Sequence, residues 1–169
     1  MTDPTRDEVD EILARWDHSR EHILSILQDI QHVSPEHYVS RSAAAQVAED
    51  LGMTVTAMYE IVTFYHMLHA TPHGRHSVEI CESTPCYFQG GDALQSTAAE
   101  RLGIAMDEVT EDGALCVETV PCFGRCATAP NVRIDGAVHH RVSPAVLRDL
   151  IDRLVAGDRA DQEQVSQHV

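Results

Sequence analysis

The sequence contains no lysine: all 12 basic residues are arginines, set against 27 aspartates and glutamates, for a formal net charge of −15. Affinity for nucleic acid comes from neutralising phosphates with cations, so this balance argues against a nucleic-acid partner. It fits solubility, or docking on a basic protein surface. No apolar run approaches the roughly 20 residues that a membrane-spanning helix needs, and direct membrane insertion is not expected. The opening segment, Met1 to Glu8, is acidic and unlike a targeting peptide. The expected location is the cytoplasm, or the cytoplasmic face of a larger assembly. Two motifs are also missing. There is no C-x-x-C, which removes dithiol redox catalysis. There is no G-x-G-x-x-G and no other nucleotide-binding loop. The 169 residues allow one or two small domains with a self-sufficient core.

What the chain does contain is five cysteines, four of them in two tight pairs. Cys81 and Cys86 lie in Cys-Glu-Ser-Thr-Pro-Cys, and Cys122 and Cys126 in Cys-Phe-Gly-Arg-Cys. The pattern is C-x4-C, a gap of 35 residues, then C-x3-C. Four thiolates in two pairs suit a [2Fe–2S] cluster, two sulfurs to each iron. Gly90-Gly91 follows the first pair, Gly124 interrupts the second, and Ala129-Pro130 follows it, so backbone N–H groups can face an anionic centre. Structural zinc is the main rival, since all-cysteine zinc sites also use paired ligands, most often two residues apart. Disulfides fit poorly with an odd cysteine count and a reducing compartment. A Rieske centre needs two histidines, and neither segment holds one. Cys116, in the alternating run Leu115 to Val120, reads as a buried small hydrophobe.

Eleven histidines raise a second metal hypothesis. The densest group, His66, His69, His73 and His76, runs from a helix end through Thr71-Pro72-His73-Gly74 into a strand and does not share one face. His18 and His22 are four apart, but at a helix end. Solvated or hinge-packing roles are the default.

Periodicity divides the chain near residue 73. Before it, Val9, Ile12, Leu13 and Trp16 form one helical stripe and Ile23, Ile26, Leu27 and Ile30 another. Ser34-Pro35-Glu36 carries an N-terminal helix signal. Ala44, Val47, Ala48 and Leu51 form a stripe that Gly52 stops. Thr54 can cap a fourth helix, with Val55, Met58, Tyr59 and Val62 facing one way. After the break, His76 to Cys81 alternates as a strand. Leu94, Ala98 and Leu102 mark a helix ending at Gly103, and Leu115 to Val120 a second strand. Val132 to Val142 reads as a hairpin turning at Asp135-Gly136, and Ser143-Pro144 starts a last helix with Val146, Leu147, Leu150, Ile151 and Leu154 on one side. The expected class is α+β: an N-terminal helical bundle over residues 1–73, a thioredoxin-like α/β domain with a small mixed sheet over 74–156, and a polar tail over 157–169. Both cysteine pairs are expected in loops after strand ends.

On these residues the chain resembles the thioredoxin-like [2Fe–2S] family typified by the 24 kDa subunit of respiratory complex I. The equivalent subunits of NAD-reducing hydrogenases and NAD-dependent formate dehydrogenases belong to the same group. The resemblance covers about residues 20–156: Ile26 to Gln31, Ala48-Glu49-Asp50-Leu51-Gly52, Val62-Thr63-Phe64-Tyr65, both cysteine pairs, Ala129-Pro130 and Ile134-Asp135-Gly136. It implies that Cys81, Cys86, Cys122 and Cys126 ligate the cluster, with no side-chain catalysis in this chain. It further implies a flavin- and NAD-binding partner subunit that carries FMN and NAD, on which the N-terminal helical domain (residues 1–73) docks, with further iron–sulfur subunits beyond. The expected role is electron transfer, one electron at a time, in an NAD(H)-linked oxidoreductase. The alternatives are the gamma subunit of a formate dehydrogenase or the diaphorase part of a hydrogenase, and a zinc- or cluster-stabilised assembly module. Residues 135–144 lean toward the formate dehydrogenase branch. Three positions depart from the family: Phe123-Gly124-Arg125 between the last cysteines, Pro121 before them, and Cys116. Arg125 places a cation where relatives commonly carry a small or neutral residue.

Overall fold

The computed structural model describes residues 3–166. The chain forms two compact units, one ending at His73 and the other beginning at Gly74.

The first unit is helical. Helix α1 (Arg6–Arg15) starts at a capping box in which Thr5 accepts from the Glu8 N–H and the Glu8 carboxylate accepts from the Thr5 N–H. Its Val9, Ile12 and Leu13 are buried with Ile26, Leu27 and Ile30 of α2 (Ile23–Val33), and the Trp16 indole donates to Asp29 at 2.9 Å. Helix α3 (Arg41–Asp50) contributes Ala43, Val47 and Ala48, and α4 (Val55–Phe64), capped by Thr54, contributes Met58 and Val62. Each fully buried Leu or Ile side chain adds about 1.5–3 kcal/mol.

Two sequence expectations fail here. Ser34-Pro35 does not open a helix: Ser34 ends α2, and α3 begins only at Arg41, with Ser40 accepting from the Ala43 N–H. Among the described residues, the buried Ser34 hydroxyl has no hydrogen-bond partner. The fourth stripe is narrower than expected, since Val55 and Tyr59 are largely exposed and only the Met58–Val62 line faces the core.

The second unit is a five-stranded mixed sheet in the order β2-β3-β1-β4-β5. Its strands are β1 (His76–Cys81), β2 (Glu108–Val109), β3 (Leu115–Val120), β4 (Val132–Ile134) and β5 (Ala137–His139). Strand β1 runs parallel to β3, from His76 opposite Leu115 to Cys81 opposite Val120. It runs antiparallel to β4, with Val78 opposite Ile134. Alternation puts Val78, Ile80, Leu115, Val117, Val132 and Ile134 into one core with Leu94 and Ala98 of α6 (Gly91–Leu102) and Leu147 and Ile151 of α7 (Pro144–Ser166). The opposite face carries Glu79, which accepts a two-pronged ion pair from Arg133, its directly opposed residue on β4.

Helix α7 corrects the expected tail at residue 157. The helix continues to Ser166, and Asp158 is buried, accepting from Arg75 Nε and Nη2 at 2.7 and 2.9 Å. Strand β2 and the short helix α5 (Thr84–Phe88) had no apolar period long enough to announce them. Among the described residues, no helix is long and apolar enough to cross a membrane.

Candidate metal centre

The parallel pairing of β1 and β3 builds the site. Parallel strands end at the same sheet edge, so the segments leaving Cys81 and Val120 emerge side by side. Cys81 closes β1, and Cys122 follows β3 by two residues. The Cys81 sulfur lies 3.4 Å from Ser83 Oγ and 3.7 Å from the Pro121 carbonyl, which bridges the two segments. The Cys122 and Cys126 sulfurs are 3.6 Å apart. The Cys81 thiol interacts with those of Cys86 and Cys122, and its charge acts on Cys126.

Three of the four do not sit in the loops expected of them, since Cys81 is itself the last residue of β1. Cys86 is in α5, which follows Ser83 and carries Pro85 in its first turn. Cys126 opens a 3-10 turn through Thr128. The chain leaves this turn through a cis Ala129–Pro130 bond into β4. Cys81 and Cys86 are buried, whereas Cys122 and Cys126 are exposed. Beside Cys86, Tyr87 and Phe88 stand out from the surface.

Two glycines shape the cradle. Gly124 has φ +73°, a conformation that costs other residues, and its N–H donates to the Cys122 sulfur at 3.3 Å. Gly91 opens α6, where a Cβ would lie 2.9 Å from the Cys86 carbonyl oxygen and 3.4 Å from that of Cys81. The first cysteine segment can fold against α6 only because that Cβ is missing.

The Gly124 N–H, followed by the Cys126 thiol, holds the Cys122 thiol below its ordinary pKa. Its neighbour Cys126 is raised in turn by the Cys122 sulfur, and Cys86 is raised by burial. Cys116 behaves differently. It is buried at the start of β3, opposite Ser77 and about 13 Å along the strand from Val120. Burial, followed by the charges of Glu118, Asp107 and Glu79, pushes its thiol up to about 12.

Sequence reasoning missed Asn131 and Arg133. Asn131 is buried, and its amide nitrogen donates to the Arg125 carbonyl at 2.8 Å and faces the Cys86 sulfur at 3.8 Å. The Asn131 backbone carbonyl accepts from the Cys81 N–H at 3.2 Å. An Asn after Pro130 reads in sequence as a turn residue, so nothing local marked it. Arg133 places its guanidinium 4.9 Å from the centroid of the Phe123 ring, which steadies the segment between Cys122 and Cys126. Among the histidines singled out in sequence, His18 contacts Asp50 at 2.9 Å, His76 contacts Asp135 at 2.8 Å, and His69 and His73 stack at 3.4 Å between ring centroids.

A set of four soft sulfur donors, with N–H groups aimed at two of them, fits an anionic iron–sulfur group. The parallel β1–β3 pair with its flanking helices gives the second unit a thioredoxin-like arrangement.

Known proteins bear out this class. The model of the thioredoxin-like [2Fe–2S] ferredoxin family matches residues 9–155, and the chain belongs to this family, whose cofactor is a [2Fe–2S] cluster. The E subunit of NADH-quinone oxidoreductase from Rickettsia bellii is 35% identical over 112 residues, covering 66% of this chain and 67% of the relative. From Rhizobium meliloti, the E2 form of the same subunit is 32% identical over 155 residues, covering 91% of this chain and 90% of the relative. The relatives are thus parts of oxidoreductase complexes. The crystal structure of an NAD+-reducing [NiFe]-hydrogenase in the H2-reduced state shares the fold, with a TM-score of 0.71 and 24% identity over 80% of this chain. This chain spans only 22% of that hydrogenase chain.

Proposed function

We propose that Cys81, Cys86, Cys122 and Cys126 ligate the [2Fe–2S] cluster, and that the chain is the small electron-transfer subunit of an NAD(H)-linked oxidoreductase. The observation that carries this reading is the parallel β1–β3 pairing, which delivers both cysteine pairs to one sheet edge. When bound, the cluster takes up and releases one electron at a time.

The protein's own residues prepare the site for that task. Burial of Cys81 and Cys86 keeps water from one side, and the exposed Cys122 and Cys126 bring the other side to the surface, where a partner can approach. The Gly124 N–H and the Asn131 amide supply hydrogen bonds to sulfur that favour the more negative state. No side chain here makes or breaks a substrate bond.

The partner we propose is a flavin- and NAD-binding subunit that holds the FMN and NAD, joined to further iron–sulfur subunits in the cytoplasm or on its membrane face. The names of the relatives, as parts of NADH-quinone oxidoreductase, support this, as does the lack of a nucleotide-binding loop in the sequence. The test is purification of the full chain from its native cell under mild conditions. A flavin-containing, NADH-oxidising complex with this chain in stoichiometric amount is expected. Isolation of the chain alone, with no flavoprotein, would refute the carrier role.

A further inference from the structure

His140 lies on the surface just after β5, outside both cysteine segments. Its Nδ1 is nevertheless 3.0 Å from Asn131 Oδ1 and 3.0 Å from Thr128 Oγ1. We propose that His140 is a positioning residue for the [2Fe–2S] centre, acting through Asn131. Its Nδ1–H holds the Asn131 side chain with the amide nitrogen toward Cys86. The inference rests on the ligand assignment proposed for the four cysteines.

The donors and acceptors decide the direction of each bond. Asn131 presents its amide nitrogen to the Arg125 carbonyl and to the Cys86 sulfur. Turned over, the amide would set its own oxygen against two electron-rich atoms. Its oxygen must therefore face Thr128 and His140. The Thr128 hydroxyl has one proton and three candidate acceptors at 3.0 Å: the Arg125 carbonyl, Asn131 Oδ1 and His140 Nδ1. If Nδ1 were bare, it would oppose the Asn131 oxygen lone pair to lone pair. If Nδ1 carries the proton, it donates to Asn131 Oδ1 and leaves the Thr128 hydroxyl free to donate to Arg125. The Arg125 carbonyl already accepts from the Thr128 N–H and the Asn131 amide, so what decides is the 3.0 Å approach of Nδ1 to Oδ1, which only the second arrangement makes attractive. Accepting a bond at Oδ1 also polarises the amide and strengthens the N–H that faces Cys86.

The experiment is potentiometric titration of the cluster-loaded full chain, with iron and sulfide measured in each sample. In His140→Leu, the equilibrium constant for reduction is expected to fall about threefold, because the donor to sulfur loses its anchor. That is a midpoint about 30 mV lower at 59 mV per tenfold for one electron. His140→Asn, whose side-chain N–H donor sits at the same reach from Cβ as Nδ1, is expected to stay at the wild-type midpoint. In an Asn131→Ala background, His140→Leu is expected to add no further shift. A His140→Leu midpoint equal to wild type, with iron and sulfide intact, would overturn the inference. So would a shift of the same size in both backgrounds, which would mean that His140 acts directly rather than through Asn131. If Asn131→Ala holds no cluster, the His140→Leu and His140→Asn pair decides alone, and equal midpoints in the two would overturn the inference. Absence of a cluster from the wild-type chain is a different result, one that overturns the ligand assignment itself.

Discussion

Among single residues, those of the second cysteine segment are where charge matters most. Asn131 and Thr128 both bond to the Arg125 carbonyl, so its backbone is pinned while its side chain is exposed. A unit charge about 6 Å from the centre is worth about 0.7 kcal/mol at the dielectric of water, or about 30 mV for one electron. Arg125→Ala should therefore lower the midpoint by about 20–30 mV, an effect that fades in high salt. An unchanged midpoint would show that the cation faces away. Gly91 sets a steric limit of a different kind. Gly91→Ala puts a Cβ 2.9 Å from the Cys86 carbonyl oxygen, a contact neither backbone can relieve without moving α5 from α6. Iron content of the purified variant should drop well below that of wild type, and full retention would contradict the packing described.

Of the secondary-structure elements, the strands that carry the site were legible in the sequence, and their arrangement was not. The alternation of His76 to Cys81 and Leu115 to Val120 placed β1 and β3 at their observed bounds. That the two run side by side, and so deliver both cysteine pairs to one edge, depends on contacts 39 residues apart that no local period encodes. Helix α5 was missed because five residues carry no stripe, although Ser83-Thr84-Pro85 is the same kind of start signal that misled at Ser34-Pro35. In α7 the polar run from Gly157 hid the buried Asp158, whose role appears only when Arg75 arrives from the other end of the domain. Arg75 holds the Asp158 carboxyl below its ordinary value of 3.8. The stabilisation is therefore present in full above that value and is lost as pH falls through the lowered native pKa. Asp158→Asn should destabilise the protein by about 1–3 kcal/mol at neutral pH and flatten the acid limb of its stability curve below about pH 4. Thermal unfolding across pH checks both, and an acid limb as steep as that of wild type would contradict them.

For the whole molecule, each unit has its own core, Leu13, Ile26, Leu27 and Ile30 in the first and Ile80, Leu94, Leu115 and Leu147 in the second. All four candidate ligands lie in the second. A chain lacking residues 1–70 should fold, bind iron and fail to associate with the flavoprotein partner. Association at the wild-type level would remove the docking role of the helical unit. Everything else depends on the ligand set, which is tested by iron and acid-labile sulfide per chain in the wild type and in five single Cys→Ser variants. About two of each are expected in the wild type and in Cys116→Ser, with thiolate-to-iron absorption in the visible. Loss or bleaching is expected in the variants at Cys81, Cys86, Cys122 and Cys126. Zinc in place of iron, or loss of iron from Cys116→Ser alongside a full complement in Cys126→Ser, would contradict the assignment.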